Sequence, residues 1–184
     1  MSSSMSTIIL FTFAPMSVSN PTLTLEAFSL GDRLPLIVDE IRPLIGLSEI
    51  STNLGRIDSI ISAHTGKSFL NNDNFSFDEF TFSATARRHK LRNWPCHPYH
   101  YINASYIVSF LQDIRTLICL PITVNSGYRN SSLNALVKGQ PRSKHLMFRA
   151  ADICCRDNVA LFNLLKTFPH TELIQYKTFI HFAI

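Results

Sequence analysis

Two histidines and one aspartate in the C-terminal part of the chain have side chains that bind divalent metal ions. His145 and Asp152 lie seven residues apart, and Asp152 enters an apolar segment that predicts a strand. His181 lies in the last apolar segment of the chain. A catalytic zinc ion uses three protein ligands and keeps a fourth position open for water, so neighbouring strands that brought these side chains together would form such a site. By spacing alone, ordinary hydrogen-bonded histidines are the simpler interpretation.

A second segment, CHPYH at residues 96–100, also contains residue types that bind metals. It lacks a second ligand pair at the spacing of a zinc finger. Pro95 and Pro98 instead favour a loop. No phosphate-binding loop, dinucleotide-binding glycine motif or G-x-S-x-G motif occurs in the sequence. Nucleotide binding and serine hydrolase chemistry therefore have no support.

Four segments around the candidate ligands form an ordered set of motifs. They are SGYRNSSLN at 126–134, SKH at 143–145, AADI at 150–153 and FIH at 179–181. In this order they closely resemble the zinc D-Ala-D-Ala carboxypeptidase family, and within it the peptidase M-fifteen A type C-terminal domain of phage and bacterial cell-wall peptidases. The segment FDEFTFSATA at 77–86 is similar to the opening segment of that family. The resemblance covers about residues 75–184, and several motifs in the right order make it specific.

The resemblance implies a zinc site and assigns roles to the residues around it. His145, Asp152 and His181 would be the zinc ligands. Arg129 would stabilise the polarised substrate carbonyl or its developing oxyanion, which is a suitable role for a cation. Zinc would polarise the scissile carbonyl and lower the pKa of its bound water. Ser143 would hydrogen-bond the substrate backbone, with a loop-stabilising role as an equal alternative.

Three further residues in or beside these motifs are interpreted as structural. Tyr128 is expected to be a packed aromatic, and Asn134 is expected to fix the turn that carries Arg129. Gly139 is expected to end the preceding helix at the C′ position, where left-handed backbone favours glycine.

The chain departs from the family pattern at two positions. Phe148 stands where the family has glycine, a residue chosen for backbone conformations or close approaches that a side chain forbids. We therefore expect Phe148 to disturb the path between two ligands or to crowd the open metal position. Related enzymes place a carboxylate three residues before the last histidine as a general base, and here that residue is Thr178. Glu172 is the nearest acidic substitute, and a solvated strand end is the alternative for it.

The hydrophobic pattern predicts helices grouped with short antiparallel strands, and therefore an α+β fold with a small antiparallel sheet flanked by helices. Ser76 and Glu79 have the spacing of a capping box. Helices are predicted over 35–50, from residue 76 to about 90, through 107–118, over 131–138 and after Asp157; strands are predicted over 122–124, 150–155, 173–176 and 179–183. The resemblance further implies a D,D-peptidase/hedgehog fold.

Length and composition limit the class of protein. The chain has 184 residues, of which 46% are hydrophobic and 16% charged, so it can bury a core and is not disordered throughout. No apolar run approaches the roughly 18 residues of a membrane-spanning helix, so no membrane span is expected. The four cysteines are too few for a disulfide scaffold and are expected to be buried free thiols.

A turn-rich segment, NNDN at residues 71–74, is the expected domain boundary. Residues 1–74 would form an N-terminal extension of unknown role, poorly ordered over about the first 20 residues. Residues 75–184 would form a peptidase-like zinc domain. The formal charge is −3 over residues 1–74 and +7 over residues 75–184, which suits attraction to an anionic polymer such as a bacterial cell wall.

The function that the sequence supports best is a zinc metallopeptidase that cleaves peptidoglycan stem peptides, as a D-Ala-D-Ala carboxypeptidase or an endopeptidase. Such a protein would act on the bacterial cell wall as a phage-encoded or exported monomer, without nucleic acid. The alternative is a catalytically impaired homologue that binds the cell wall or a protein, because Phe148 replaces the glycine and the acid is missing. A third alternative is nucleic-acid binding through the basic run at residues 87–92, for which a solvated helix end is the simpler interpretation.

Overall fold

The computed structural model describes residues 33–46, 50–70 and 72–184. The disorder expected for the first 20 residues lies outside these ranges. The α-helices of the described part are α1 Leu34–Ile41, α2 Ile50–Thr65, α3 Phe77–Thr81, α4 Ala84–Arg88, α5 Pro98–Ile118, α6 Ser131–Leu136 and α7 Asn158–Leu165. The strands are β1 Ile122–Ser126, β2 Ala150–Cys155, β3 Glu172–Gln175 and β4 Ile180–Ala183. Short 3-10 turns lie at Arg42–Leu44 and Lys144–Met147.

The four strands form one antiparallel sheet in the order β1–β2–β4–β3. Asp152 of β2 lies opposite His181 of β4, and Ile174 of β3 lies opposite His181 on its other side. The register of β1 shifts after Val124, so that Ser126 lies opposite Asp152. Directly opposed residues share a face of the sheet. The helices and this small sheet confirm the predicted α+β fold, and one face of the sheet carries the candidate metal ligands.

The other face of the sheet packs on α5. Ile107, Leu111 and Ile114, whose spacing predicted an amphipathic helix, are fully buried. Phe110 of α5 stacks on Phe182 of β4, with ring centroids 4.8 Å apart. Complete burial of an apolar side chain contributes about 1.5–3 kcal/mol to the stability of the fold. The sheet is therefore held on α5 by apolar burial, and its ligand-bearing face points away from that core.

Helices α1 and α2 belong to the same hydrophobic cluster as α5. Ile37 and Ile41 of α1 and Ile57 and Ile61 of α2 are fully buried in it. Part of the predicted N-terminal extension therefore packs on the core. Within the described residues, no helix combines the length and apolarity needed to cross a membrane.

The predicted helix from Ser76 to about Lys90 is wrong, because this segment forms the two helices α3 and α4. Glu79 accepts hydrogen bonds from the backbone nitrogen and the hydroxyl of Ser76, at 3.0 and 3.1 Å. Phe82 then leaves the helical conformation, with φ −66° and ψ 138°. The hydroxyl of Ser83 accepts from Ala86 and caps α4. A serine that caps a new helix competes with continuation of the old one.

Three smaller expectations are also wrong. The α-helix expected over 35–50 ends at Ile41, because Pro43 has no backbone N–H to continue it, and the 3-10 turn Arg42–Leu44 follows. The helix over 131–138 ends at Leu136, and Lys138 rather than Gly139 takes the left-handed conformation, with φ 55°. Gly139 is required for a different reason, because a Cβ there would collide with Oδ1 of Asn134. The four cysteines are free, but none is buried, since Cys154 and Cys155 lie at the end of β2 where the strand leaves the core.

Candidate metal centre

The side chains of His145, Asp152 and His181 converge on one face of the sheet. His145 comes from the 3-10 turn Lys144–Met147, Asp152 from β2 and His181 from β4. Nε2 of His145 lies 3.3 Å from Oδ1 of Asp152 and 3.3 Å from Nδ1 of His181. Nδ1 of His181 lies 2.8 Å from Oδ1 of Asp152. All three residues are buried, and in the described part of the chain they form the group whose ligand atoms lie close enough to hold a metal ion.

The arrangement fits a tetrahedral metal ion. Bonds of about 2.0–2.1 Å at tetrahedral angles place two ligand atoms roughly 3.3 Å apart. Two of the three distances equal that value, and the third, from Nδ1 of His181 to Oδ1 of Asp152, is the length of a hydrogen bond at 2.8 Å. Nδ1 of His145 contacts the carbonyl oxygen of Gly127, which is a typical partner for the outer nitrogen of a metal-binding histidine, and Nε2 faces Asp152 and His181. Two nitrogens and one carboxylate oxygen leave a fourth position for water or substrate.

The charges around the cluster favour an ionised Asp152. Burial alone raises the pKa of its carboxyl, but hydrogen bonds with His145 and His181 and the nearby charge of Arg129 hold that pKa well below its usual range. Burial lowers the pKa of His181, yet the contacts with Asp152 and Glu172 dominate and raise it. The cluster therefore presents a carboxylate to any bound cation.

Arg129 is fixed beside the ligands by four contacts, one of which joins its Nη2 to Nε2 of His145 at 3.3 Å. Its Nε donates to the hydroxyl of Ser126 at 2.9 Å, and its Nη2 donates to Oδ2 of Asp152 at 2.6 Å. Its backbone nitrogen donates to the carbonyl of His145 at 3.1 Å. These contacts place the guanidinium of Arg129 beside the candidate ligands, and its role towards a substrate stays a prediction.

A cleft of about 720 Å³ opens over the cluster. Its wall contains the six residues that the sequence analysis proposed for the site: Arg129, Ser143, His145, Asp152, Glu172 and His181. Residues 138–142 form another part of the wall, with the cations Lys138 and Arg142. The hairpin of β3 and β4 adds an apolar part through Ile174, Tyr176 and Phe179.

Comparison with protein-family models gives a match to peptidase M15 over residues 73–183, which is more than half of the chain. The chain belongs to the peptidase M15 family. The M15 proteins are metallopeptidases, so the matched region is a hydrolase domain and its His-Asp-His cluster is a candidate metal site. No curated protein matches the chain.

The glycine of the M15 domain's SGYR motif is required by a close approach of two backbones. A Cβ on Gly127 would lie 2.5 Å from the carbonyl oxygen and 2.7 Å from the Cα of Phe80. The next residue, Tyr128, donates its backbone N–H to the same carbonyl at 2.7 Å. Helix α3 is thereby joined to the segment that orients His145 and carries Arg129.

Phe148 does not crowd the metal position of this M15 domain. Its backbone is left-handed, with φ 57° and ψ 34°, which is the conformation that favours glycine. Its ring is fully buried and stacks on the rings of Phe77 and Tyr128, with centroids 5.8 and 5.6 Å apart. The expected crowding of the open position is therefore wrong, because the side chain points into the aromatic core and does not line the cleft.

The turn that carries Arg129 is held by Asn93, which the motifs did not indicate. Its Nδ2 donates to the carbonyls of Thr81 and Tyr128, both at 2.8 Å, and its Oδ1 accepts from the backbone of Asn130 at 2.9 Å. Asn134, which was expected to do this, donates instead to the carbonyl of Gln140 at 2.9 Å. Asn93 is a buried polar residue outside every motif, so only its contacts identify it.

The two remaining candidates of the M15 site lie on the cleft wall. Ser143 precedes the turn that carries His145, and its hydroxyl makes no capping bond to that turn. Oε2 of Glu172 lies 3.1 Å from Nε2 of His181. Both residues can thus reach a molecule in the cleft, and their roles there stay predictions.

The loop predicted for the CHPYH segment is present only at Cys96 and His97, because Pro98, Tyr99 and His100 form the first turn of α5. Nδ1 of His97 accepts from the backbone of Tyr99 at 3.3 Å and caps the helix, which begins at Pro98. His100 is buried against Tyr128, with ring centroids 5.1 Å apart. These residues start the helix and do not join the metal cluster.

Proposed function

We propose that this protein is a zinc metallopeptidase that cleaves peptide bonds in peptidoglycan stem peptides, as a carboxypeptidase or an endopeptidase. The observation that carries the proposal is the convergence of His145, Asp152 and His181 beside Arg129, at the base of an open cleft in an M15 domain. Two imidazoles and one carboxylate are a donor set typical of catalytic zinc. Bound zinc would polarise the scissile carbonyl and lower the pKa of a water molecule.

Arg129 is the residue that we assign to stabilise charge on the substrate. A guanidinium has five N–H donors and keeps its positive charge at any relevant pH. Contacts with Ser126 and Asp152 use two of its nitrogens, which leaves N–H donors for a substrate carbonyl oxygen. Because these contacts hold the group in place beforehand, little reorganisation would be needed as negative charge develops on that oxygen.

The wall of the cleft suits a peptide with a free carboxylate. Lys138 and Arg142 line it, and neither forms an ion pair with any residue that the structure describes. Peptidoglycan stem peptides carry free carboxylates at the end of the stem and on side chains. In this proposal Ser143, between the basic loop and His145, hydrogen-bonds the backbone of the same peptide.

The experiment is hydrolysis by the zinc-loaded protein of purified peptidoglycan and of two short peptides that end in D-Ala-D-Ala. One peptide has a free C-terminal carboxylate and the other has an amide. We expect release of D-Ala or of stem peptides, preference for the free carboxylate, and loss of activity in His145→Ala. Hydrolysis that persisted unchanged in His145→Ala would rule out the mechanism.

A second candidate function is a catalytically impaired relative that binds wall peptides. The specific observation in its favour is that Asp152 and Glu172 are the carboxylates of the described cleft wall, and both are already engaged with His181. Such a protein would sediment with purified peptidoglycan and release no zinc-dependent product. The same assay with product analysis therefore separates the two functions.

A further inference from the structure

Glu172 reaches the metal cluster through His181. In the pairing of β3 with β4, Glu172 lies opposite Ala183, two residues from His181 on the same face of the sheet. Oε2 of Glu172 lies 3.1 Å from Nε2 of His181. The other ring nitrogen, Nδ1, lies 2.8 Å from Oδ1 of Asp152 and 3.3 Å from Nε2 of His145. Glu172 and the other two ligands therefore occupy opposite edges of one imidazole ring.

The same arrangement occurs at His145 with the two nitrogens exchanged. There the carbonyl oxygen of Gly127 contacts Nδ1, and Nε2 faces the cluster. A metal-binding histidine usually donates its outer N–H to a carbonyl or a carboxylate, which fixes the ring orientation and the proton position. At His145 the acceptor is a carbonyl, and at His181 it is the carboxylate of Glu172.

A general base must lie within hydrogen-bond reach of the proton that it removes. The ring of His181 stands between Glu172 and the side of the cluster where its Nδ1 meets Asp152 and His145. We infer that Glu172 is a positioning residue, which holds the proton of His181 on Nε2 so that Nδ1 is presented to the metal, rather than the general base. This inference rests on the proposed zinc site.

The test measures the zinc dissociation constant by competition with a chromophoric chelator. It compares the parent with Glu172→Ala, which removes the acceptor, and Glu172→Gln, which keeps an acceptor oxygen without charge. Gln175→Ala is the matched control, because Gln175 is an exposed residue of the same strand that lies on the opposite face of the sheet from His181. We expect about 10–100-fold weaker zinc binding in Glu172→Ala, a smaller loss in Glu172→Gln and no change in the control.

Nuclear magnetic resonance of the ring nitrogens supplies a readout that a general loss of stability would not mimic. The Nε2–H signal of His181 should persist in the parent with and without zinc, and it should be lost to solvent exchange in Glu172→Ala. Parent-like zinc affinity in Glu172→Ala together with loss of hydrolysis would overturn the inference and make Glu172 the base. Absence of zinc binding in the parent itself would overturn the proposed function as well, which distinguishes the two failures.

Discussion

The ring of Phe148 stacks on the ring of Tyr128, with centroids 5.6 Å apart and planes 19° from parallel. Tyr128 directly precedes Arg129, whose side chain contacts Asp152. Phe148 is thus part of the aromatic core beneath the candidate metal site and does not obstruct that site. The free-energy cost of the left-handed backbone at Phe148 is offset by the complete burial of its ring.

Two substitutions of Phe148 should separate the free energy that the buried ring contributes to stability from the free energy that the left-handed backbone costs. Phe148→Ala should destabilise the fold by about 3–5 kcal/mol through loss of the buried ring. Phe148→Gly should be about 1 kcal/mol less destabilising than Phe148→Ala, because glycine adopts the left-handed conformation without strain. Urea unfolding of both variants measures the difference. Zinc affinity should match the parent in folded samples, and tighter zinc binding in Phe148→Gly would show that the ring restricts the site after all.

Gly127→Ala should disturb both the fold and the site. The new Cβ would meet backbone atoms of Phe80 at 2.5 and 2.7 Å, and backbone cannot rotate away as a side chain can. We expect a loss of about 1–3 kcal/mol in unfolding free energy. Zinc affinity should fall as well, because the carbonyl of Gly127 orients His145.

Gly55→Ala provides the control for that substitution. Gly55 lies inside helix α2, and a Cβ there has no atom within 4 Å. Gly55→Ala should raise the free energy of unfolding by about 0.5–1 kcal/mol, because alanine has the higher helix propensity. Equal effects of the two substitutions on unfolding would contradict the close approach of Gly127 to Phe80.

His100 should make the stability of the protein depend on pH in the acidic range. Burial, together with the charge of His97, lowers the pKa of His100 to about 4 from an ordinary value of 6.5. The unfolded chain therefore binds a proton more readily than the folded one as the pH falls from 6.5 to 4, so stability is lost in that window. The loss from this residue is at most on the order of 3 kcal/mol, since one pKa unit corresponds to about 1.4 kcal/mol.

Thermal unfolding between pH 7 and pH 4 checks this prediction. His100→Gln cannot take up the proton and should show a flatter dependence than the parent, while the exposed His170→Gln should follow the parent curve. Parallel curves for His100→Gln and the parent would contradict the assignment to His100.

Much of the fold could be predicted because its elements are long or strongly patterned. The apolar spacing at Ile107, Leu111 and Ile114 indicated α5, and the apolar run at 150–155 has the bounds of β2. Helix α2 was not predicted, because the buried Asp58 interrupts its apolar stripe. That carboxylate is satisfied by the hydroxyl of Ser68 and by backbone N–H groups, which is a tertiary arrangement that no local pattern reveals.

The sequence named the residues that line the candidate site, but not the residues that hold them in place. Spacing alone left the histidines ambiguous, and only the ordered motifs selected His145, Asp152 and His181. The role of Asn93 and the direction of the Phe148 ring depend on contacts between segments far apart in the sequence. The contact between Glu172 and His181 follows from the pairing register of the last two strands, which a hairpin prediction does not define to the residue.

The metal content of the purified protein tests the central claim most directly. The parent should hold about one zinc ion per chain, since three convergent ligands are provided. His145→Ala should lose it, and His170→Ala should retain it, because His170 is exposed, hydrogen-bonds the backbone of Phe168 and lies outside the His-Asp-His cluster. A parent without zinc after incubation with the ion, or equal zinc in the parent and His145→Ala, would contradict the assignment of His145, Asp152 and His181 as the metal site.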